Sequence, residues 1–307
     1  MEHSLSPAAP AAPPVSGGSR SGGRALDRAM DWLFFACGLI AVAFVLLISV
    51  YLIVSGLPAI GEIGLGNFLL GRRWYASTGD FGILAIILTS FAGTAGAVVL
   101  GVPVGLLTAV FLAKAAPPRL AAVIRTAVDL LAGIPSVVYG LVGMILLVPA
   151  IRVAFDLPSG ATLLAAIVVL AVMILPSIVS VSETALRAVP REYEEASLAL
   201  GATEMETVFR VSLPAARSGV ATAIVLGIGR AIGEAMAIMM VAGNVVNMPG
   251  LLTPVRFLTT AIVSEMSYAS VGSLHRNALF SIGLVLFLFI MLINVFLNVF
   301  IKRKKED

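Results

Sequence analysis

Apolar residues in this chain gather into six long runs, at residues 33–61, 81–113, 130–151, 157–182, 218–242 and 277–301. Each is long enough to cross a hydrocarbon core, which takes about 20 residues. Five of the runs carry no charged residue, and the window at 218–242 carries two, Arg230 and Glu234. Buried helices of a soluble protein would be shorter and fewer. The pattern therefore predicts an all-α fold, a polytopic membrane helix bundle of about six transmembrane helices.

The segments between the runs add detail. Residues 1–24 are rich in Ala, Pro, Ser and Gly, bury too little to offset ordering entropy, and predict a disordered cytoplasmic tail before a transmembrane domain at 25–307. A cleaved signal peptide fits less well, because the first apolar run is too long and no A-x-A-like site follows it. Residues 57–80 predict an outer loop whose Trp74 and Tyr75 suit the membrane interface, and residues 114–124 a short inner turn. In the third run Pro135 removes a backbone donor and predicts a kink or break. Such a break either is resatisfied by neighbouring helices or lines a pathway. Gly93, Ala95, Gly96, Ala97, Gly101 and Gly105 in the second run predict close packing, within the bundle or between subunits. The polar loop at 183–214 holds a helical pattern of about ten residues. Pro190 suits its first turn, Glu192, Glu194 and Glu195 its amino end, and Gly201 its termination.

Composition agrees, with 59% apolar and 12% charged residues against about 25% charged in soluble domains. The basic residues then orient the chain. With the amino terminus inside, fourteen Lys and Arg fall on inner segments: Arg20, Arg24, Arg28, Lys114, Arg119, Arg125, Arg187, Arg191, Arg210, Arg217, Lys302, Arg303, Lys304 and Lys305. Five fall outside: Arg72, Arg73, Arg152, Arg256 and Arg276. Both termini are expected in the cytoplasm, which requires an even number of spans. The net charge of +3 is then a topology signal, and no basic stripe with interleaved aromatics points to nucleic acid. The single Cys37 reads as packing. His3 and His275 have no ligand spacing, so neither a metal site nor a cofactor is expected. No phosphate-binding G-x-x-x-x-G-K-[ST] motif is present, nor a nucleophile with a base in reach by motif. The chain is expected not to be an enzyme, with ATP hydrolysis left to a partner.

Arg230 and Glu234 are expensive where they stand. A charge at mid-bilayer costs about 2.5–3.5 kcal/mol even on mild insertion scales. Their i,i+4 spacing places both side chains on one helical face. They read either as a self-neutralised tie between helices or as the polar lining of an anion route, in which a guanidinium fork suits a phosphate-like oxyanion.

The polar loop carries a longer pattern: Glu195-Ala196-Ser197, three residues, Gly201, nine residues, then Val211-Ser212-Leu213-Pro214. It resembles the EAA loop of ABC-transporter permeases, with Ser197 for the Ala at the third position and Val211 for Ile. Further stretches resemble the PstC family, one of the two permease subunits of bacterial phosphate ABC importers. They are Ile134-Pro135-Ser136-Val137-Val138-Tyr139-Gly140, Ala199-Leu200-Gly201-Ala202-Thr203, Leu213-Pro214-Ala215-Ala216-Arg217-Ser218-Gly219, Gly229-Arg230-Ala231-Ile232-Gly233-Glu234-Ala235-Met236-Ala237 and Val241-Ala242-Gly243-Asn244. The resemblance implies a type I ABC importer (MetI-like) fold in the bacterial inner membrane and phosphate as substrate. It implies Arg230 and Glu234 on the substrate pathway, and Glu195, Ala196, Gly201, Leu213 and Pro214 in ATPase coupling. The partners it implies are a PstA-like second permease subunit, a PstB-like ATPase dimer and a PstS-like phosphate-binding protein. A permease for molybdate, sulfate or phosphonate would keep the EAA loop but not the Gly-Arg-Ala-x-Gly-Glu stretch. A self-sufficient secondary transporter would show repeated halves with broken helices.

Overall fold

A computed structural model describes the backbone of residues 21–303 and the side chains of residues 28–295. In chain order it contains α1 (Ser21–Ile63), α2 (Leu65–Leu70), the strands β1 (Trp74–Tyr75) and β2 (Asp80–Phe81), and α3 (Leu84–Val110). Then come α4 (Pro118–Gly133), α5 (Ser136–Val142), α6 (Val148–Ala154), α7 (Leu163–Arg187), α8 (Arg191–Ala199) and α9 (Glu204–Thr207). The chain ends with α10 (Leu213–Ala215), α11 (Arg217–Gly233), α12 (Met236–Val241), α13 (Leu258–Glu265) and α14 (Leu274–Arg303). Three π-helical turns, Phe111–Ala115, Gly143–Leu147 and Val208–Ser212, extend α3, α5 and α9 toward α4, α6 and α10 respectively. Contacts divide the chain into two units between Val50 and Tyr51. The first holds most of α1, where Cys37 is exposed instead of packed. Of the tail expected at 1–24, residues 1–20 lie outside the described residues, and Ser21–Arg24 form the first turn of α1.

Among the described residues five helical stretches are long and apolar enough to cross a membrane: Arg28–Ile63, Leu84–Ala115, Ser136–Ala154, Leu163–Arg187 and Leu274–Val295. A sixth is reached by counting Glu204–Ala215 with Arg217–Gly233, which bend by 72°. The second unit is built on α7, whose Leu170, Ile174 and Ile178 are fully enclosed. The small residues of α3 face it. A Cβ on Gly96 would lie 2.6 Å from Ile167, on Gly101 2.8 Å from Ile174, and on Gly105 2.8 Å from Ile178. Removing those side chains lets the two helices approach and isoleucines fill the gaps, so this stripe serves packing inside the subunit.

Three further sequence expectations change here. Residues 114–124 are not a short turn, because Pro118 opens the 16-residue amphipathic helix α4. The third run divides: residues 130–133 close α4, Ile134 and Pro135 are extended, and the span begins at Ser136. A missing donor and a disfavoured α conformation before proline account for the break. Trp74 is buried, and its indole N–H donates to Glu265 at 2.8 Å, so it is not an interfacial anchor. Tyr75 beside it is exposed.

Candidate functional site

The polar loop is shorter than 183–214, since α7 continues to Arg187. Pro190 sits just before α8 and not within its first turn. Glu192 and Glu194 lie in that turn, where they complement the helix dipole. Gly201 ends the helix as its position suggests. Its φ is +88°, its N–H donates to the Leu198 carbonyl at 2.9 Å, and the Ala202 N–H donates to the Ser197 carbonyl at 3.2 Å. This is a Schellman termination. A capping box restarts the chain: the Thr203 N–H donates to Glu206 Oε2 at 3.0 Å, and the Glu206 N–H to Thr203 Oγ1 at 3.3 Å. The Ser197 hydroxyl, which stands where an EAA loop has its second Ala, pairs with the Thr207 hydroxyl at 2.9 Å.

Glu195 and Ala196 are exposed, as are Tyr193, Leu198, Leu200, Met205 and Phe209. The described residues leave these apolar side chains uncovered. Leu213 packs with Val110, Leu186 and Val220, while Pro214 is exposed. Glu194 turns inward and accepts from Lys114 and, at 2.9 Å, from the Ser212 hydroxyl. Burial raises its carboxyl pKa, but the Lys114 and Ser212 bonds and the charges of Lys114 and Arg191 outweigh that, and the net direction is down.

Two further charged knots were not anticipated. Glu183, nearly enclosed at the end of α7, accepts from Arg125 Nη2 at 2.6 Å and Arg187 Nε at 2.9 Å. The i,i+4 spacing of Glu183 and Arg187 after a charge-free run was a usable signal; Arg125, 58 residues away, left none. At the end of α13, Glu265 accepts from Trp74, Arg256 and, at 2.8 Å, His275 Nε2. Arg256 Nε also donates to Asn244 Oδ1 at 2.9 Å, and Asn244 has a φ of +53°. Trp74, 191 residues from Glu265, is brought to it only by the fold.

Arg230 and Glu234 depart most from expectation. The 218–242 window is not one helix. Arg230 occupies the last turn of α11, Glu234 is extended (φ −74°, ψ 131°), and α12 starts at Met236. The two side chains therefore do not share a helical face. Among the described residues they form no ion pair. Glu234 Oε1 instead accepts from the Ala237 N–H at 3.0 Å, capping α12, and its carbonyl accepts from Thr259 Oγ1 at 2.6 Å. Glycines before the break and this local capping outcompete helix continuation. Both residues are half-buried. The second broken element lies beside the first. A Cβ on Gly140 in α5 would lie 2.7 Å from Ala237 Cα, and the Tyr139 hydroxyl bridges the Pro135 break by donating to the Leu131 carbonyl at 2.6 Å.

Residues 101–306 match the family described as binding-protein-dependent transport system inner membrane component. The chain belongs to that family. A probable ABC transporter permease protein, YqgH of Bacillus subtilis (strain 168), is 40% identical over 267 residues, 84% of this chain and 86% of that protein. The phosphate transport system permease protein PstC of Haemophilus influenzae is 32% identical over 287 residues, covering 86% and 90%. An inward-facing MetNI methionine ABC transporter chain aligns with TM-score 0.52 and 26% identity over 72% of this chain and 94% of that one. A chain of a bacterial alginate ABC transporter aligns with TM-score 0.63 over 90% and 96%, at 16% identity, which speaks for the fold alone. The resemblance to PstC permeases and the MetI-like fold therefore stand. The chain is a multi-pass inner-membrane permease subunit of an ABC importer.

Proposed function

We propose that this subunit passes inorganic phosphate into the cytoplasm, with Arg230 receiving the anion. The carrying observation is Arg230, a half-buried residue at a broken span with no ion pair among the described residues. An Arg held without a carboxylate can receive an oxyanion, and its fork suits phosphate better than a point charge does. Glu234 shapes the same site by holding the break open. The PstC relatives favour phosphate over sulfate, molybdate or phosphonate. On this reading α8, presenting Glu195 and Ala196 and ended by Gly201, docks on an ATPase dimer of the PstB kind. Leu213 and Pro214 join it to α11. A PstA-like permease completes the pore, a PstS-like protein delivers the anion, and both termini are cytoplasmic. ATP hydrolysis resides in the ATPase partner.

The test is uptake of labelled phosphate by the assembled importer in proteoliposomes. Arg230→Gln is expected to abolish uptake while assembly persists, and Arg230→Lys to retain part of it. Wild-type uptake by Arg230→Gln would refute the route. Competition by sulfate or molybdate as strong as by phosphate itself would point to another oxyanion.

A further inference from the structure

The three carboxylate-centred knots differ in what they join. The Glu265 knot holds the hairpin and α13 to the start of α14. The Glu183 knot holds α7 to α4. The Glu194 knot alone involves α8. Glu194 Oε1 accepts from Ser212 at 2.9 Å and from Lys114. Ser212 belongs to the segment that returns from α8, so its bond closes the loop on itself. Lys114 comes from outside the loop, on the π-turn that ends α3. Its side chain is 14% exposed and that of Glu194 25%. An ion pair sheltered to this degree, with a second donor on the same oxygen, is held more firmly than two exposed side chains would be.

We propose that Lys114 and Glu194 are positioning residues for energy coupling, a charge clamp that makes α8 and the end of α3 move as one body. This rests on α8 being the ATPase-docking helix of the proposed function. The clamp has somewhere to send a displacement. The carbonyl of Leu112, two residues before Lys114, accepts from Arg187 Nη2 at 3.1 Å. Arg187 shares Glu183 with Arg125 of α4. α4 ends at the Pro135 break, where Tyr139 holds its Leu131 carbonyl. α5 then rests on α12, whose amino end is capped by Glu234. A coupling clamp differs from an ion pair that merely stiffens the loop in what it transmits. What separates the two is the ratio of anion imported to ATP hydrolysed, which stiffness alone would leave intact.

The experiment uses the whole importer with its ATPase and binding protein in proteoliposomes. It compares Lys114→Glu, Glu194→Lys, their double exchange and Lys114→Arg. Each single reversal is expected to lower phosphate imported per ATP by about tenfold, within the usual range of inter-site coupling, while the ATPase stays bound and active. The double exchange restores most of the ratio, because the clamp reforms with its charges transposed. Lys114→Arg stays near wild type. A wild-type ratio in both single reversals, or a double exchange no better than either, overturns the proposal. The docking reading fails separately: Leu198→Asp with Leu200→Asp would then leave ATPase co-purification unchanged. The charge exchange touches neither residue.

Discussion

Replacing Gly201 with valine isolates the backbone's contribution to the loop proposed to couple to the ATPase. No atom lies within 4 Å of a Cβ built at Gly201, so nothing steric outside the residue resists the change. The penalty is conformational. At φ +88° an L-residue loses about 1–2 kcal/mol relative to its right-handed state, and a β-branched side chain falls toward the upper end of the roughly 1–3 kcal/mol range for strained residues. Escaping the strain means giving up the two terminating bonds to Leu198 and Ser197, at about 0.5–1.5 kcal/mol each. Either way the ordered loop loses about 2 kcal/mol, which shifts a local equilibrium by up to about thirtyfold. α8 has nine residues, none buried, so it has little packing to absorb the loss; helices this short are marginal alone. Gly201→Val is expected to reduce phosphate uptake in proteoliposomes and ATPase co-purification, with insertion in the membrane unchanged. Gly201→Asn, which tolerates positive φ, should keep most of both. Equal damage from Asn and Val would refute the backbone argument, and wild-type uptake by the Val variant would show that the loop does not need this termination.

Other consequences are open to measurement. Gly101→Val places a Cβ 2.8 Å from Ile174 and 3.1 Å from the Ala171 carbonyl, so thermal unfolding in detergent should show a loss of about 1–3 kcal/mol from overpacking; Gly61→Ala, with nothing within 4 Å, is the control and should stay near wild type. Burial raises the pKa of Glu265, but hydrogen bonds from Trp74, His275 and Arg256 and the Arg256 charge bring it below the ordinary 4.5. A depressed carboxyl stabilises above its unfolded pKa and loses that contribution as pH falls through the folded value. Detergent-phase stability should therefore hold down to the ordinary carboxylate range and fall below it, and Glu265→Gln should flatten that acid limb. A reporter fused after Asp307 should read as cytoplasmic and one inserted at Gly250 as external; an external carboxy terminus would overturn the charge-based orientation.

The sequence made legible whatever is encoded by uninterrupted runs or by spacing. Long charge-free runs gave the membrane class, and the small residues of α3 gave close packing, since Gly96, Gly101 and Gly105 meet isoleucines of α7. The turn at Gly201 was readable because few residue types accept its φ cheaply, glycine foremost. Where expectation failed, an apolar run had been equated with a continuous helix. Hydropathy senses the solvent that a segment prefers, not whether its backbone is broken. At Pro135 the proline announced the interruption, yet the start of the span still moved to Ser136. At Glu234 nothing comparable warned of it. The break there depends on a carboxylate turning to cap α12 and on Thr259, 25 residues later, taking the carbonyl of Glu234.

The break at Glu234 changes the physical meaning of the Arg230 and Glu234 motif. On one helical face the two charges would neutralise each other, and an anion would have to displace a carboxylate to reach the guanidinium. In the structure the carboxylate is committed to the backbone of the next helix, and the guanidinium has no ion partner among the described residues. On the proposed route, the same residue would leave the guanidinium free of a competing carboxylate while its bond to Ala237 fixes the broken backbone beside Arg230. Glu234→Gln, which keeps a carbonyl oxygen to accept from Ala237, should therefore preserve the break. Glu234→Ala should lose the cap at about 0.5–2 kcal/mol, the usual cost of removing one. If the break serves the route, phosphate uptake should fall more in Glu234→Ala than in Glu234→Gln. The reverse order would mean that the negative charge itself, and not the geometry it holds, is what transport requires.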